Sequence, residues 1–240
     1  MIRTLVLTGE GINSHKETAR AFQKAGSEVD FISIEEFLRL KSFDLWDIIA
    51  FPGGFSFGDE IRSGKLLAQK INLHQKENLK KFISQKKPIV GICNGFQTLV
   101  QLGVFEKKER TITLAQNHHN KFINRWTKLR VDKENKSFWL KEIDNLHMPV
   151  RHKEGRLKAT KNITDFKIAF SYDENINGSF QNVAGITNEE GNILGLMPHP
   201  EAAIDPELFM DSHHMAIQNL ILFKNAIEYS KGLRNEKSVN

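Results

Sequence analysis

The sequence predicts an α/β protein: an open, mostly parallel sheet flanked by helices, with an antiparallel section in the middle of the chain. Three observations carry this. Over roughly the first 100 residues, short apolar runs alternate with amphipathic stretches, as strands alternate with helices in βαβ units. The runs end in turns that contain glycine: Gly9-Glu10-Gly11, Pro52-Gly53-Gly54 and Cys93-Asn94-Gly95. With 240 residues, 40% hydrophobic and 26% charged, the chain can build one α/β domain with a full core. We expect a single domain over residues 1–230 and a polar, frayed tail over 231–240.

The elements follow in order. Met1 to Thr8 reads as a first strand. Ser14 followed by Glu17 is a capping-box pattern; Ala19, Phe22 and Ala25 then mark one helical face, and Gly26 ends it. Val29, Phe31 and Ile32 form a β-prone run. Ser33 followed by Glu36 is a second capping box, opening a short helix to Leu40. Trp46 to Phe51 reads as a third strand, and a long helical region from about Ser63 to Gln85 leads to the next, Ile89 to Ile92. In the middle, Thr111–Leu114, Phe122–Val131, Met148–Val150, Ile168–Tyr172 and Val183–Thr187 are strand-like, with little long helical pattern between them. Ile193 to Leu196 is a final strand, and His214 to Tyr229 a final helix with Ile217, Leu220, Ile221 and Ile227 on its apolar face.

Composition narrows the function classes. The formal charge of +5 comes from basic residues scattered along the chain, with no nucleic-acid-binding motif beside them. No apolar run approaches membrane-spanning length, and the first strand is too short for a signal peptide. One cysteine excludes an internal disulfide framework and fits a reducing, cytoplasmic setting. Of the nine histidines, His118-His119 and His213-His214 are adjacent pairs without ligand spacing, so no metal site is expected.

The chemistry centres on Cys93. A lone cysteine is more often a small buried hydrophobe. Here it stands where a strand turns into a helix (Phe96, Leu99 and Val100 at helical spacing), between Gly91 and Gly95. That is the nucleophile-elbow pattern with a thiol. Unpaired N–H groups and the dipole of a helix N-terminus favour the ionised sulfur. The second informative stretch is Pro198-His199-Pro200-Glu201. A residue before proline is extended, and in extended chain residues two apart share a side, so Glu201 can steady the His199 imidazole as the orienter of a nucleophile–base–orienter triad. Gly53-Gly54-Phe55 follows a buried strand. We expect the N–H groups of Gly54, Phe55 and Asn94 to receive an oxyanion.

These residues resemble a known family. Gly91-Ile92-Cys93-Asn94-Gly95-Phe96-Gln97 is similar to the nucleophile motif of class I glutamine amidotransferases, and Met197-Pro198-His199-Pro200-Glu201 to their His/Glu motif. Phe51 to Asp59, Asn124-Arg125-Trp126, Glu154-Gly155-Arg156, Asn177-Gly178-Ser179 and Val183-Ala184-Gly185-Ile186 look like the glutaminase subunit of phosphoribosylformylglycinamidine synthase. The resemblance runs in order from about residue 4 to 228. The chain departs from that pattern at Gly11-Ile12-Asn13-Ser14, His152-Lys153-Glu154-Gly155 and Asn175-Ile176-Asn177-Gly178-Ser179, none of which includes a triad residue.

The resemblance implies a flavodoxin-like fold and hydrolysis of glutamine through a Cys93 thioester. His199 would carry protons, Glu201 orient it, and Gln97 help shape the glutamine pocket. It also implies delivery of ammonia to a synthetase subunit, and a third small subunit in the complex. No cofactor is implied in this chain; ATP and magnesium belong to the partner synthetase in that reading.

Overall fold

The computed structural model describes residues 1–59, 64–107, 110–160, 166–208 and 213–239. The first run forms β1 (Arg3–Thr8), and α1 (His15–Ala25) follows, burying Ala19, Ala21 and Phe22 until Gly26 stops it at φ 102°. Ser14 stands at the N-cap as its spacing predicts, but its hydroxyl turns to Asn13 Oδ1 and caps nothing, so that box is not formed. The second box is half realised: Ser33, between β2 (Glu28–Ser33) and α2 (Ile34–Arg39), accepts the Glu36 N–H at 3.1 Å.

β3 (Ile48–Phe51) and β4 (Ile89–Ile92) are buried at every position, which is why they read as unbroken apolar runs. Between them the expected single helical region is broken in two, α3 (Lys65–His74) and α4 (Lys76–Ser84); its expected start, Ser63, lies outside the described residues. The break is at Gln75 (φ −128°, ψ 11°), whose buried side chain donates to the Leu40 carbonyl at 3.0 Å. Anchoring that amide to the end of α2 takes Gln75 out of helical geometry. After β4 comes α5 (Asn94–Leu102), stopped by left-handed Gly103.

The middle of the chain supplies β5 (Ile112–Gln116), β6 (Ile123–Val131), β7 (Asn145–His152), β8 (Glu154–Ala159), β9 (Phe166–Tyr172) and β10 (Val183–Asn188), then β11 (Ile193–Leu196). Strand β8 escapes the sequence reading: polar Arg156 and Lys158 and the small Gly155 leave it no apolar run. Among the described residues it pairs only with β5, as a separate antiparallel ribbon.

Among the described residues the main sheet has nine strands, in the order β2-β1-β3-β4-β11-β10-β9-β6-β7. The first five are mutually parallel and the rest antiparallel, so the mixed section expected from the sequence extends one side of the parallel sheet. The final helix, α6 (His213–Val239), packs on α1, with Phe22 and Phe223 edge to face at 5.0 Å. Its buried residues include Ala216, Asn219, Leu222, Phe223, Ala226, Ser230 and, as expected, Ile227; Ile217, also expected inside, is 52% exposed. The helix also runs on to Val239, through the segment expected to fray. Arg234 holds it there, donating to both carboxylate oxygens of Asp47 at 2.7 and 2.6 Å.

One topological fact positions everything that follows. β3, β4 and β11 are adjacent and parallel. Their carboxyl ends deliver Gly53-Gly54, Cys93 and His199 to one edge of the sheet, where ligands of open α/β sheets bind.

Candidate active site

Cys93 occupies the turn between β4 and α5 at φ 51° and ψ −105°, a conformation that costs a non-glycine residue about 1–3 kcal/mol. The turn is held on both sides: Cys93 N–H donates to Leu196 O at 2.8 Å, and Cys93 O accepts the Gln97 N–H at 3.0 Å. Gly95 is required by close approach, since a Cβ there would overlap the Phe51 carbonyl. The glycine lets α5 press onto β3 and aims the sulfur out of the sheet. The thiol donates weakly to the Arg151 carbonyl at 3.7 Å.

His199 is extended (φ −111°, ψ 83°), as expected of a residue before proline, and its N–H donates to Pro149 O at 2.9 Å. Glu201 reaches it by a different route from the expected one. Pro200–Ala203 is a short 3-10 turn, and this curl, not the alternation of an extended chain, brings the carboxylate under the ring. His199 Nδ1–H donates to Glu201 Oε1 at 2.7 Å, with the carboxylate fully buried. That bond leaves Nε2 as the nitrogen for the sulfur. Nε2 is buried and has no partner of full hydrogen-bond geometry among the described residues. Burial alone would lower the imidazole pKa, but the charges of Glu201 and Cys93 outweigh it and raise it above the ordinary value.

Gly53 shows how closely the parts converge. A Cβ placed there would lie 2.8 Å from His199 Cε1 and 3.4 Å from Cys93 Cβ. Next to it, Gly54 takes φ 150°, and its N–H enters no hydrogen bond among the described residues. Phe55 does not fit the oxyanion role expected of it. Its N–H donates to Gly11 O at 2.7 Å, in the bridge between Ile12 and Gly54. Its ring is half exposed. Asn94 opens α5, where first-turn N–H groups have no acceptor within the helix.

Cys93, Gly54 and Gln97 line a cavity of about 240 Å³, walled opposite by Arg151, His152, Lys153 and Glu154. Gln97 acts as a brace. Its Oε1 accepts from Asn94 Nδ2 at 3.0 Å and its Nε2 donates to the Glu154 carbonyl, while Asn94 Oδ1 accepts the Ser56 N–H at 3.1 Å. The chain links the Gly54 loop, the nucleophile helix and the start of β8.

His152, Asn117 and Arg151 are site residues that sequence reasoning missed. Buried His152 donates from Nδ1 to Asn117 Oδ1 at 3.1 Å; Asn117 Nδ2 meanwhile holds the His152 carbonyl at 2.9 Å. Burial, with the charges of His199 and His119, pushes the His152 imidazole down to about 3, so it is neutral. The available signal was proximity to the Glu154-Gly155-Arg156 motif. Among the described residues no group of three or more His, Cys, Asp or Glu could hold a metal, and no helix is long and apolar enough to cross a membrane.

Comparison with known proteins shows the family and the fold. The family model described as a CobB/CobQ-like glutamine amidotransferase domain matches residues 1–230. The chain is 36% identical to phosphoribosylformylglycinamidine synthase subunit PurQ of Methanococcus maripaludis, over 95% of this chain and 97% of that one. It is 34% identical to PurQ of Dehalococcoides mccartyi, over 96% and 98%. In three dimensions it matches a chain of the solved PurLQS structure from Thermotoga maritima, with TM-score 0.78 and 30% identity over 95% and 98%. A glutamine amidotransferase of Thermotoga maritima, 14% identical at TM-score 0.62, shares the fold. With its thiol, imidazole and carboxylate assembled at the sheet edge, the chain belongs to the CobB/CobQ-like glutamine amidotransferases and, within them, to the PurQ family of phosphoribosylformylglycinamidine synthase subunits.

Proposed function

We propose that Cys93, His199 and Glu201 carry out the glutamine hydrolysis by which this chain supplies ammonia for formylglycinamidine ribonucleotide synthesis. The carrying observation is the bond from His199 Nδ1 to Glu201 at 2.7 Å, which commits the other ring nitrogen to Cys93. The sulfur attacks the side-chain amide carbon of glutamine. The tetrahedral oxyanion takes hydrogen bonds from the N–H groups of Gly54 and Asn94. His199 gives its proton to the departing nitrogen, ammonia leaves, and a γ-glutamyl thioester remains. Water then attacks the thioester as His199 removes its proton, and glutamate is released. Glu201 fixes the tautomer and balances the imidazolium.

Ammonia loses its nucleophilicity when protonated in neutral water. Direct transfer to a synthetase subunit follows from that. The PurLQS relative supports such a partner. A third small subunit, and ATP with magnesium in the synthetase, complete this reading, as does a cytoplasmic setting. Gln97 shapes the glutamine pocket as a brace. The test is to treat the protein with a glutamine-mimicking electrophile and map the adduct by mass spectrometry. The expected result is one adduct on Cys93, abolished by excess glutamine. Labelling elsewhere, or labelling indifferent to glutamine, refutes the assignment.

A further inference from the structure

Free glutamine differs from a peptide-bound side chain by its α-carboxylate and α-ammonium groups. A glutaminase that acts on the free amino acid needs a group to read them. The geometry points to Arg151: we propose that its guanidinium anchors the α-carboxylate of the glutamine bound at Cys93. This rests on the glutaminase reading above and names the residue that selects its substrate.

Three observations carry the proposal. First, Arg151 is tied to the nucleophile through its backbone, since its carbonyl accepts the Cys93 thiol at 3.7 Å. Standard bond lengths put the α-carboxylate carbon of glutamine roughly 5 Å from its amide carbon, and an extended arginine carries its guanidinium roughly 6–7 Å from Cα. A ligand fixed at the sulfur therefore has its carboxylate within reach of that side chain. Second, the guanidinium is uncommitted. Arg151 is exposed, lines the 240 Å³ cavity, and forms no ion pair or side-chain hydrogen bond among the described residues. Arg20, which lines a neighbouring cavity together with Arg151, is by contrast paired with Asp205, and Arg130 with Asp173. Third, the charge balance of the wall favours an anion. Among the described residues Lys153 adds a second cation without an ion pair, His152 is neutral, and Glu154 is the one carboxylate on the lining. Of the two cations, arginine has the planar fork that grips a carboxylate through two parallel bonds, and Arg151 has the backbone anchor. Lys153 supplies field rather than grip.

The test uses the full chain and two probes: the chloroketone analogue of glutamine and the same chloroketone with its α-carboxylate converted to an amide. Second-order rates of Cys93 alkylation are measured for the wild type, Arg151→Gln, Arg151→Lys and Lys153→Gln. We expect Arg151→Gln to slow the carboxylate probe by about tenfold or more and to leave the amide probe unchanged, the size of one charge-assisted contact. Arg151→Lys should recover part of the loss, and Lys153→Gln should cost less than Arg151→Gln. The proposal is overturned if Arg151→Gln slows both probes alike, slows neither, or matters less than Lys153→Gln. If the wild type reacts with the carboxylate probe no faster than free cysteine does, the glutaminase reading fails instead.

Discussion

Replacing His152 by Asn should change how the fold responds to acid. In the native protein the imidazole is held neutral, its pKa down at about 3 against an ordinary 6.5. Between those values the unfolded chain binds a proton at this position that the folded chain refuses. Stability therefore rises with pH across that window, is fully present above about 6.5, and drains away as pH falls. At pH 5 the linkage amounts to about 2 kcal/mol relative to neutral pH, and the full shift would approach about 5 kcal/mol in stronger acid. Asparagine keeps a donor for Asn117 Oδ1 and has no proton to gain. Urea unfolding of both proteins at pH 7.5 and pH 5 isolates the effect. The variant should lose some stability at pH 7.5 from imperfect packing, but gain about 2 kcal/mol on the wild type between the two conditions. An equal difference at both pH values would falsify the neutral, buried imidazole.

Two further outcomes concern the triad. Cys93→Ala and Cys93→Gly should both abolish glutamine hydrolysis, yet the glycine variant should be the more stable by about 1 kcal/mol, because φ 51° strains alanine and not glycine; equal or reversed melting temperatures would count against a strained turn. Glu201→Gln should lower kcat by about 100-fold or more, since the tautomer is no longer enforced. It should also move the alkaline limb of the rate profile to lower pH, because the carboxylate that raises the His199 pKa is gone; a pH profile unchanged in position sinks that account.

Much of the site was legible because its signals are local. Strand, glycine-framed thiol and helix lie within one stretch, and the turn they imply exists. The His199–Glu201 pair was also legible, although Pro200 brings it about through a 3-10 turn and not through extended chain. What stayed hidden depends on contacts between distant segments. Phe55 looked as free as Gly54 until Gly11, on another loop, took its N–H. Arg151 and His152 carry no mark of a site beyond their nearness to the Glu154-Gly155-Arg156 motif; they become its wall because β7 ends beside Cys93, 58 residues away in sequence. Gln75 breaks a helix in order to reach Leu40. The terminal helix persists past residue 230 because Arg234 meets Asp47, 187 residues earlier.

By itself, then, the sequence determined the parallel core, the strained turn that carries Cys93, and the pairing of His199 with Glu201. Each is written in neighbouring residues, through backbone preference and apolar period. Only the tertiary structure decided which N–H groups beside Cys93 stay unbonded among the described residues, which side chains wall its cavity, and that the last helix runs on past residue 230. Those outcomes are competitions for hydrogen-bond partners and counter-charges across the sheet. A partner far along the chain leaves no local trace of which group it will claim.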